Sequence, residues 1–440
     1  MNKLLLTMSV PLMVSLLVQS LYNIVDSIFV SRLSEEALTA TSLVYSVQFL
    51  MIAAGVGTAV GLNALLSRWI GQQEEDRACK AATTGLFLVL GTAFIFSVIG
   101  LLFAGKLSRM LTSDPELQVL CRQYMRICMV FCYGTFLETY GQRLLQAVGY
   151  TVHSMISLVC GALTNIILDP IMIFGLFGFP ALGIQGAAIA TVIGQFVGAA
   201  VALGINRKMN PIIHVSLRDY HWNWQDVKDI YTVGLPTIIM QAIGSIMCFS
   251  VNAILISVSS TAVAFFGVYY KLQNFLMMPM NGLGQAAIPI VAFNYGAGNG
   301  KRIRETWRIL IPVGLIFSVA GMVIFLLFPR QLLLLFSASD EMLSIGIPAL
   351  RIIALTFPFA TQTILYGYVG SGLGNGLINM IGGALRQLVL LVPFVWIFTR
   401  FLGLQYTWYA MWISEIAAFL VSFFAIRSEM KEKVDPITHS

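Results

Sequence analysis

Charge is what this sequence has least of. Asp, Glu, Lys and Arg make up only 10% of its 440 residues, against about 25% in a soluble domain, and that deficit removes the chain from the soluble class. Histidine is scarcer still. His153, His214, His221 and His439 all fall outside the interiors of the long apolar stretches, so no Ser–His pair is available for nucleophilic chemistry within a membrane. The six cysteines, Cys79, Cys121, Cys128, Cys132, Cys160 and Cys248, follow neither a zinc spacing nor the framework of a secreted disulfide domain. Cys128 and Cys132 stand one turn apart and read as small packing residues. No phosphate-cradling P-loop occurs, which argues against ATP hydrolysis by this chain. Alternating segments of about ten residues are missing too, which excludes a transmembrane barrel.

What the sequence has in quantity is apolar length. Hydrophobic residues make up 58% of it, and a helix needs roughly 20 of them in a row to cross the hydrocarbon. Twelve such stretches are read, at about 4–31, 40–66, 81–105, 118–146, 152–174, 184–206, 229–257, 261–290, 307–328, 343–369, 376–399 and 406–426. Polar residues interrupt the fourth and the eighth. The first is too long for a signal peptide and lacks a small-residue cleavage site, so it is expected to stay as the first helix.

The net charge of +6 would suit a nucleic-acid binder, but its placement says otherwise. With the N-terminus taken as cytoplasmic, sixteen Lys and Arg fall on the termini and even-numbered connections, among them Arg77, Arg207, Arg218, Lys228 and Arg302. Five fall on the opposite side: Arg32, Lys106, Arg109, Arg330 and Arg400. This is the positive-inside bias, and it puts both termini in the cytoplasm of a multi-pass protein of the cell membrane.

Sliding the chain by 225 residues pairs Pro11 with Pro236, Gln48 with Gln273, Gly57 with Gly282, Gly71 with Gly296, Arg126 with Arg351 and Gly149 with Gly374. Hydrophobicity alone does not produce matches of Gly, Pro, Gln and Arg. The register slips later, where Pro170 faces Pro393. Six helices per repeat is an even number, so both halves enter the membrane in the same sense, and a cavity is expected between such parallel repeats. The expected fold is therefore an all-α integral membrane protein of twelve transmembrane helices in two pseudo-symmetric six-helix bundles. The bundles span 1–206 and 229–440, joined by a solvated cytoplasmic linker at 207–228.

Of twenty carboxylates only Asp26, Glu138, Asp169 and Glu415 fall inside the spans. An ionised Asp at the bilayer centre costs about 2.5–3.5 kcal/mol on insertion scales, so each demands a partner, a watery cavity or a proton. Gln19, Asn23 and Asp26 share one face of the first helix, with Tyr22 at i, i+4 to Asp26. In the fifth span Asn165 precedes Asp169 by one turn, and Pro170 frees the carbonyl of Ile166. Both acids come late in outward-running helices and so at similar depth. Together they form a site for one proton or one small cation, Na+ included, or else a polar cluster that locks helix packing. Glu138 reads as a partial pair with Arg143 or as a cavity residue that meets substrate, Glu415 as a substrate contact or a packing residue, and Lys271 as snorkelling outward or lining the cavity.

The second half has a different character, and the polar faces of its first two spans are neutral. Gln241, Ser245, Cys248 and Asn252 form a stripe on the seventh span, and the eighth carries Gln273, Asn274, Asn281 and Gln285. Met277, Met278 and Met280 with Phe275 add adaptable apolar surface of the kind promiscuous sites use. The candidate substrate contacts are Gln19, Glu138, Asn252, Gln273, Asn274, Met278 and Asn281.

Four strings, PLMVSLLVQSLYNIVDSIFVSRL in the first span, NIILDPIMIF in the fifth, GIQGAAIATVIG in the sixth and PMNGLGQAAIPIVAFNYGAGN in the eighth, resemble the MATE (multidrug and toxic compound extrusion) family in order and spacing. Within the family they look like the bacterial MepA-like branch. The resemblance implies export of organic cations and other amphipathic compounds in exchange for protons or sodium. It carries coupling roles onto Asp26, Asp169 and Asn165 and adds Thr191 in the sixth span as a further candidate substrate contact. Where some members have acids in the seventh and tenth helices, this chain has Asn252 and Thr361, Gln362 and Thr363, which favours coupling confined to the first bundle. The expected function is cation-coupled multidrug efflux, with H+ the expected ion, no cofactor, no catalytic residue and no metal centre. The expected partners are amphipathic or cationic small molecules and the bilayer, with no nucleic acid, and the protein is expected to be a monomer. A flippase of a lipid-linked precursor is the alternative within transport. An intramembrane aspartyl protease would need a GxGD context that neither Asp has, and a channel would need no coupling carboxylate.

Overall fold

The computed structural model describes residues 2–216, 221–336 and 338–439, and Arg218 of the expected linker lies outside them. Among the described residues there is no strand. The helices of the first half are α1 (Asn2–Ser31), α2 (Glu35–Gly71), α3 (Glu75–Leu111), α4 (Pro115–Val130), α5 (Tyr133–Ala147), α6 (Thr151–Phe174) and α7 (Ile184–Met209). Those of the second half are α8 (Trp224–Leu255), α9 (Ser260–Gly296), α10 (Gly300–Leu327), α11 (Pro329–Leu334), α12 (Asp340–Ala354) and α13 (Phe357–Gly372). They continue with α14 (Leu377–Ala384), α15 (Leu391–Phe401), α16 (Leu404–Thr407), α17 (Ala410–Glu429) and α18 (Pro436–His439).

Among the described residues ten helices are long and apolar enough to cross a membrane, and α12 with α13 makes an eleventh span bent by 52°. The bend has a local cause: Pro358 has no N–H to return to the carbonyl of Ala354, so the helix restarts there. The fourth expected span folds as α4 and α5, broken at Phe131–Cys132. The eleventh contains a π-helical turn at Leu385–Val389. The chain is thus a multi-pass membrane protein with an all-α, two-lobed fold. Its outer side chains agree, since Leu102, Phe249, Ile316 and Phe424 are exposed, a surface that suits lipid rather than water.

The duplication is visible in the element bounds. Glu35–Gly71 and Ser260–Gly296 are both 37-residue helices, 225 positions apart. Each is capped by a serine, Ser34 accepting from Ala37 N at 3.0 Å and Ser259 from Ala262 N at 3.2 Å. The chain forms two compact units, Thr7–Ile238 and Ile239–Ser440 together with Met1–Leu6.

In the first unit α7 packs against α5 and α6 through a stripe of small residues, Gly186, Ala190, Gly194, Gly198 and Ala202, all buried. Without a hydrophobic drive between helices in lipid, close backbone approach of this kind supplies the packing. A Cβ on Gly194 would stand 2.7 Å from the carbonyl oxygen of Gly161, and one on Gly141 would stand 2.8 Å from Ala202 Cβ. Gly175, at φ +75°, ends α6 in the left-handed conformation and turns the chain toward α7. The second unit is packed by aromatics instead: Phe265 meets Trp408 edge to face at 4.8 Å, and Phe325 meets Phe357 at 5.0 Å.

Candidate ion and substrate sites

Close packing of α6 on α7 sets the first site. Asn165, one turn from the Gly161–Gly194 contact, donates from Nδ2 to Asp169 Oδ1 at 3.2 Å and to Thr191 Oγ1 at 3.3 Å. Asp169 is fully buried, and Asn165 and Thr191 nearly so. Asp26 precedes the end of α1 by five residues and Asp169 precedes the end of α6 by five, and their carboxyls lie within hydrogen-bonding reach of each other. Asp26 Oδ1, Asp169 Oδ2 and Asn165 Oδ1 are buried with no donor facing them. Two acids in contact and three orphaned oxygens offer the kind of partners that a proton or a small cation would need.

The structure divides the remaining first-half candidates. Tyr22 lies within electrostatic reach of Asp26, Asp169 and Glu138. Gln19 and Asn23 are exposed, and neither side chain bonds to the acid pair. Glu138 accepts from Gln142 Nε2 at 3.1 Å and lies against Gly198 of α7 and Gly161 of α6, where the missing side chains make room for its carboxyl. It forms no ion pair with Arg143, which donates to Gln146 Oε1 at 2.8 Å. Two neighbours carried no site role in the sequence: Tyr124, whose hydroxyl reaches Thr191, and Cys128, expected only to pack, which contacts Tyr124 and Gln48. Their signal was the stripe Cys121, Tyr124, Cys128 on the buried face of α4.

In the second half two charges inside the spans find each other. Arg386 on the π-helical turn and Glu415 on α17 form a buried ion pair, Nε to Oε1 at 3.5 Å, with side chains 12% and 6% exposed. Small residues bring the helices together: a Cβ on Gly382 would meet Ser422 of α17, and one on Gly383 would meet Met240 of α8. The neutral candidates scatter. Asn281 Oδ1 accepts from Tyr368 Oη at 3.2 Å, Asn274 bonds to Tyr270, and Asn252 Oδ1 is buried without a donor. Gln273 and Met278 are half-buried, while Lys271 is exposed. Thr361 points at Met277 Sδ, 3.8 Å away, and Gln362 donates to the carbonyl of Ile311 at 3.2 Å.

The model of the MatE family matches this chain twice, over residues 11–171 and 236–397. The chain belongs to the MatE family. Its members are transporters, not enzymes. Among curated proteins the chain is similar to the FAD transporter of Shewanella oneidensis, 27% identical over 345 residues, 78% of this chain and 76% of that protein. It is also similar to the multidrug export protein MepA of Staphylococcus aureus, 23% identical over 427 residues, 94% of this chain and 92% of that one. Among solved structures, a crystal structure of MATE in the bent conformation matches with a TM-score of 0.93 at 26% identity, covering 100% of this chain and 97% of that chain.

Proposed function

We propose that this protein is a cation-coupled exporter of amphipathic small molecules, working by alternating access, and that the Asp26–Asp169 pair is its coupling site. One observation carries the reading: the carboxyls of Asp26 on α1 and Asp169 on α6 lie within reach of each other, Asp169 fully buried and Asp26 half-buried with its Oδ1 covered, and Asn165, itself bonded to Thr191, holds Asp169. Like charges so close in a medium of low polarity are not both ionised without a compensating ion. A proton shared between them supplies the missing donor and removes one charge, so H+ is the coupling ion in this reading and Na+ on the same oxygens is its competitor. Binding the ion favours one arrangement of α1 against α6, and releasing it on the other side restores the first. An elementary charge moving through 100 mV contributes about 2.3 kcal/mol, enough to shift a balanced two-state equilibrium more than tenfold. The charge asymmetry supports a cytoplasmic location for both termini and for the 207–228 connection between bundles 1–206 and 229–440. The named activities of the relatives, multidrug export and FAD transport, support small-molecule cargo.

The test is transport of a fluorescent organic cation in proteoliposomes, with pH and sodium gradients imposed separately. Accumulation driven by the pH gradient alone supports the proton reading, and accumulation driven only by sodium replaces it with the sodium one. If Asp26→Asn and Asp169→Asn proteins both still concentrate the cation at wild-type rates, the coupling site lies elsewhere.

A further inference from the structure

The second unit buries an arginine whose hydrogen-bonding capacity is largely uncommitted. A guanidinium has five N–H donors. Arg386 faces Glu415 only through Nε, at 3.5 Å, long beside the 2.7–2.9 Å of a charge-assisted bond, and Nε is buried without a hydrogen bond. Nη1 reaches the carbonyl of Ala360 at 3.4 Å, and Nη2 makes no hydrogen bond. Glu415, almost fully buried, leaves Oε2 without a donor. Next along the π-helical turn, Gln387 Oε1 is also buried and unpartnered. Gly244 of α8 lies beside it: a Cβ there would stand 3.4 Å from Gln387 Oε1 and 3.8 Å from Tyr270 Oη. Tyr270 in turn bonds to Cys248 and Asn274, so neutral donors and acceptors from α8 and α9 converge near the charged pair.

We propose that Arg386, with Glu415 as its resident counter-ion, recognises an anionic group, a carboxylate or a phosphate, on a transported small molecule. The planar fork of a guanidinium matches both groups bidentately, whereas a cationic headgroup would meet a fixed positive charge. Glu415 keeps the empty site neutral overall, which limits the cost of burying the arginine, and yields part of the guanidinium when an anion arrives. The π-helical turn is the device that aims Arg386. Pro393 has no N–H to give Val389, and Leu390 N bonds five residues back to Leu385 O at 3.2 Å. Such widened turns recur at functional positions. The substrates of this chain then include anionic and zwitterionic amphiphiles beside cations. The proposal rests on the export reading for its purpose, but binding without a gradient stands or fails apart from coupling at Asp26 and Asp169.

The probes are riboflavin and flavin mononucleotide, which share ring and ribityl chain and differ by one phosphate. Binding is followed by flavin fluorescence on the purified full chain in detergent. Wild type is expected to bind the mononucleotide about tenfold more tightly than riboflavin. Glu415→Gln, which frees the guanidinium, is expected to widen that preference. The double variant Arg386→Gln/Glu415→Gln, which leaves no buried charge unpaired, is expected to erase it. Wild type without preference, including binding of neither flavin, overturns the proposal. So does a double variant that is folded by thermal unfolding and keeps the preference. A purely structural pair would lower the melting temperature in either single variant and leave the ratio of the two affinities unmoved.

Discussion

The two halves share a fold and divide the chemistry. At the repeat offset of 225, Asp26 of the first half is matched by Val251, and at the slipped register of Pro170 and Pro393, Asp169 and Asn165 are matched by Val392 and Leu388. Helix bounds and serine caps were duplicated while the acid pair was not. The second unit has charges of its own on other helices, and of opposite sign to each other. The physical difference is decisive. Two like charges in contact need an outside ion, which under the proposed function would tie the first pair to a gradient. Two opposite charges neutralise each other and stay put until a ligand competes. One lobe is thereby suited to an ion that comes and goes, the other to recognition.

The largest expected effect separates the lobes by coupling. Asp169→Asn should abolish gradient-driven accumulation, a loss well beyond tenfold, while Glu415→Gln should leave accumulation dependent on the same gradient whatever its rate. Proteoliposome uptake of a fluorescent cation reads both, and the opposite pattern would move coupling to the second unit.

Next comes stability. Arg386→Gln leaves Glu415 buried and unpaired and should cost about 3–5 kcal/mol, with most of it recovered in Arg386→Gln/Glu415→Gln. Asp26→Asn removes one of two like charges and should leave thermal stability unchanged or raised. Equal losses in the two lobes would show that the sign of the neighbour does not matter.

A smaller contrast tests the packing. Gly194→Ala drives a methyl to 2.7 Å from a backbone oxygen and should destabilise by about 1–3 kcal/mol. Gly382→Ala meets mainly the movable ends of Ser422 and Thr363 and should cost less. Denaturation midpoints of the two proteins in one detergent give the order.

The smallest effect concerns the clamp. Thr191→Val removes the 3.3 Å bond from Asn165 and should cost about 0.5–1.5 kcal/mol, with coupled transport slowed but present. A complete loss of transport would make Thr191 a direct participant in ion binding.

The sequence by itself determined the membrane class, the duplication and the position of the acids. Each depends on quantities summed along the chain: apolar length, a fixed offset, and the cost of a charge in hydrocarbon at a known step of a helix. Asn165 and Asp169 were legible as neighbours because one helical turn separates them, and Asp26 could be set at the same depth by counting residues. Only the tertiary structure decided which long-range contacts formed. Arg386 and Glu415 stand on different spans, and the π-helical turn that aims the arginine disrupts the register on which a stripe argument depends. For that reason helical stripes did not pair Arg386 with Glu415. Glu138 and Arg143 are close in sequence yet turn to Gln142 and Gln146, because the α5–α7 crossing opens room at Gly198 for the acid. Tyr124 reached Thr191 only once α4 met α7. Local spacing fixes what lies on one helix, and the direction in which two helices cross is settled by packing, to which every residue at the crossing contributes.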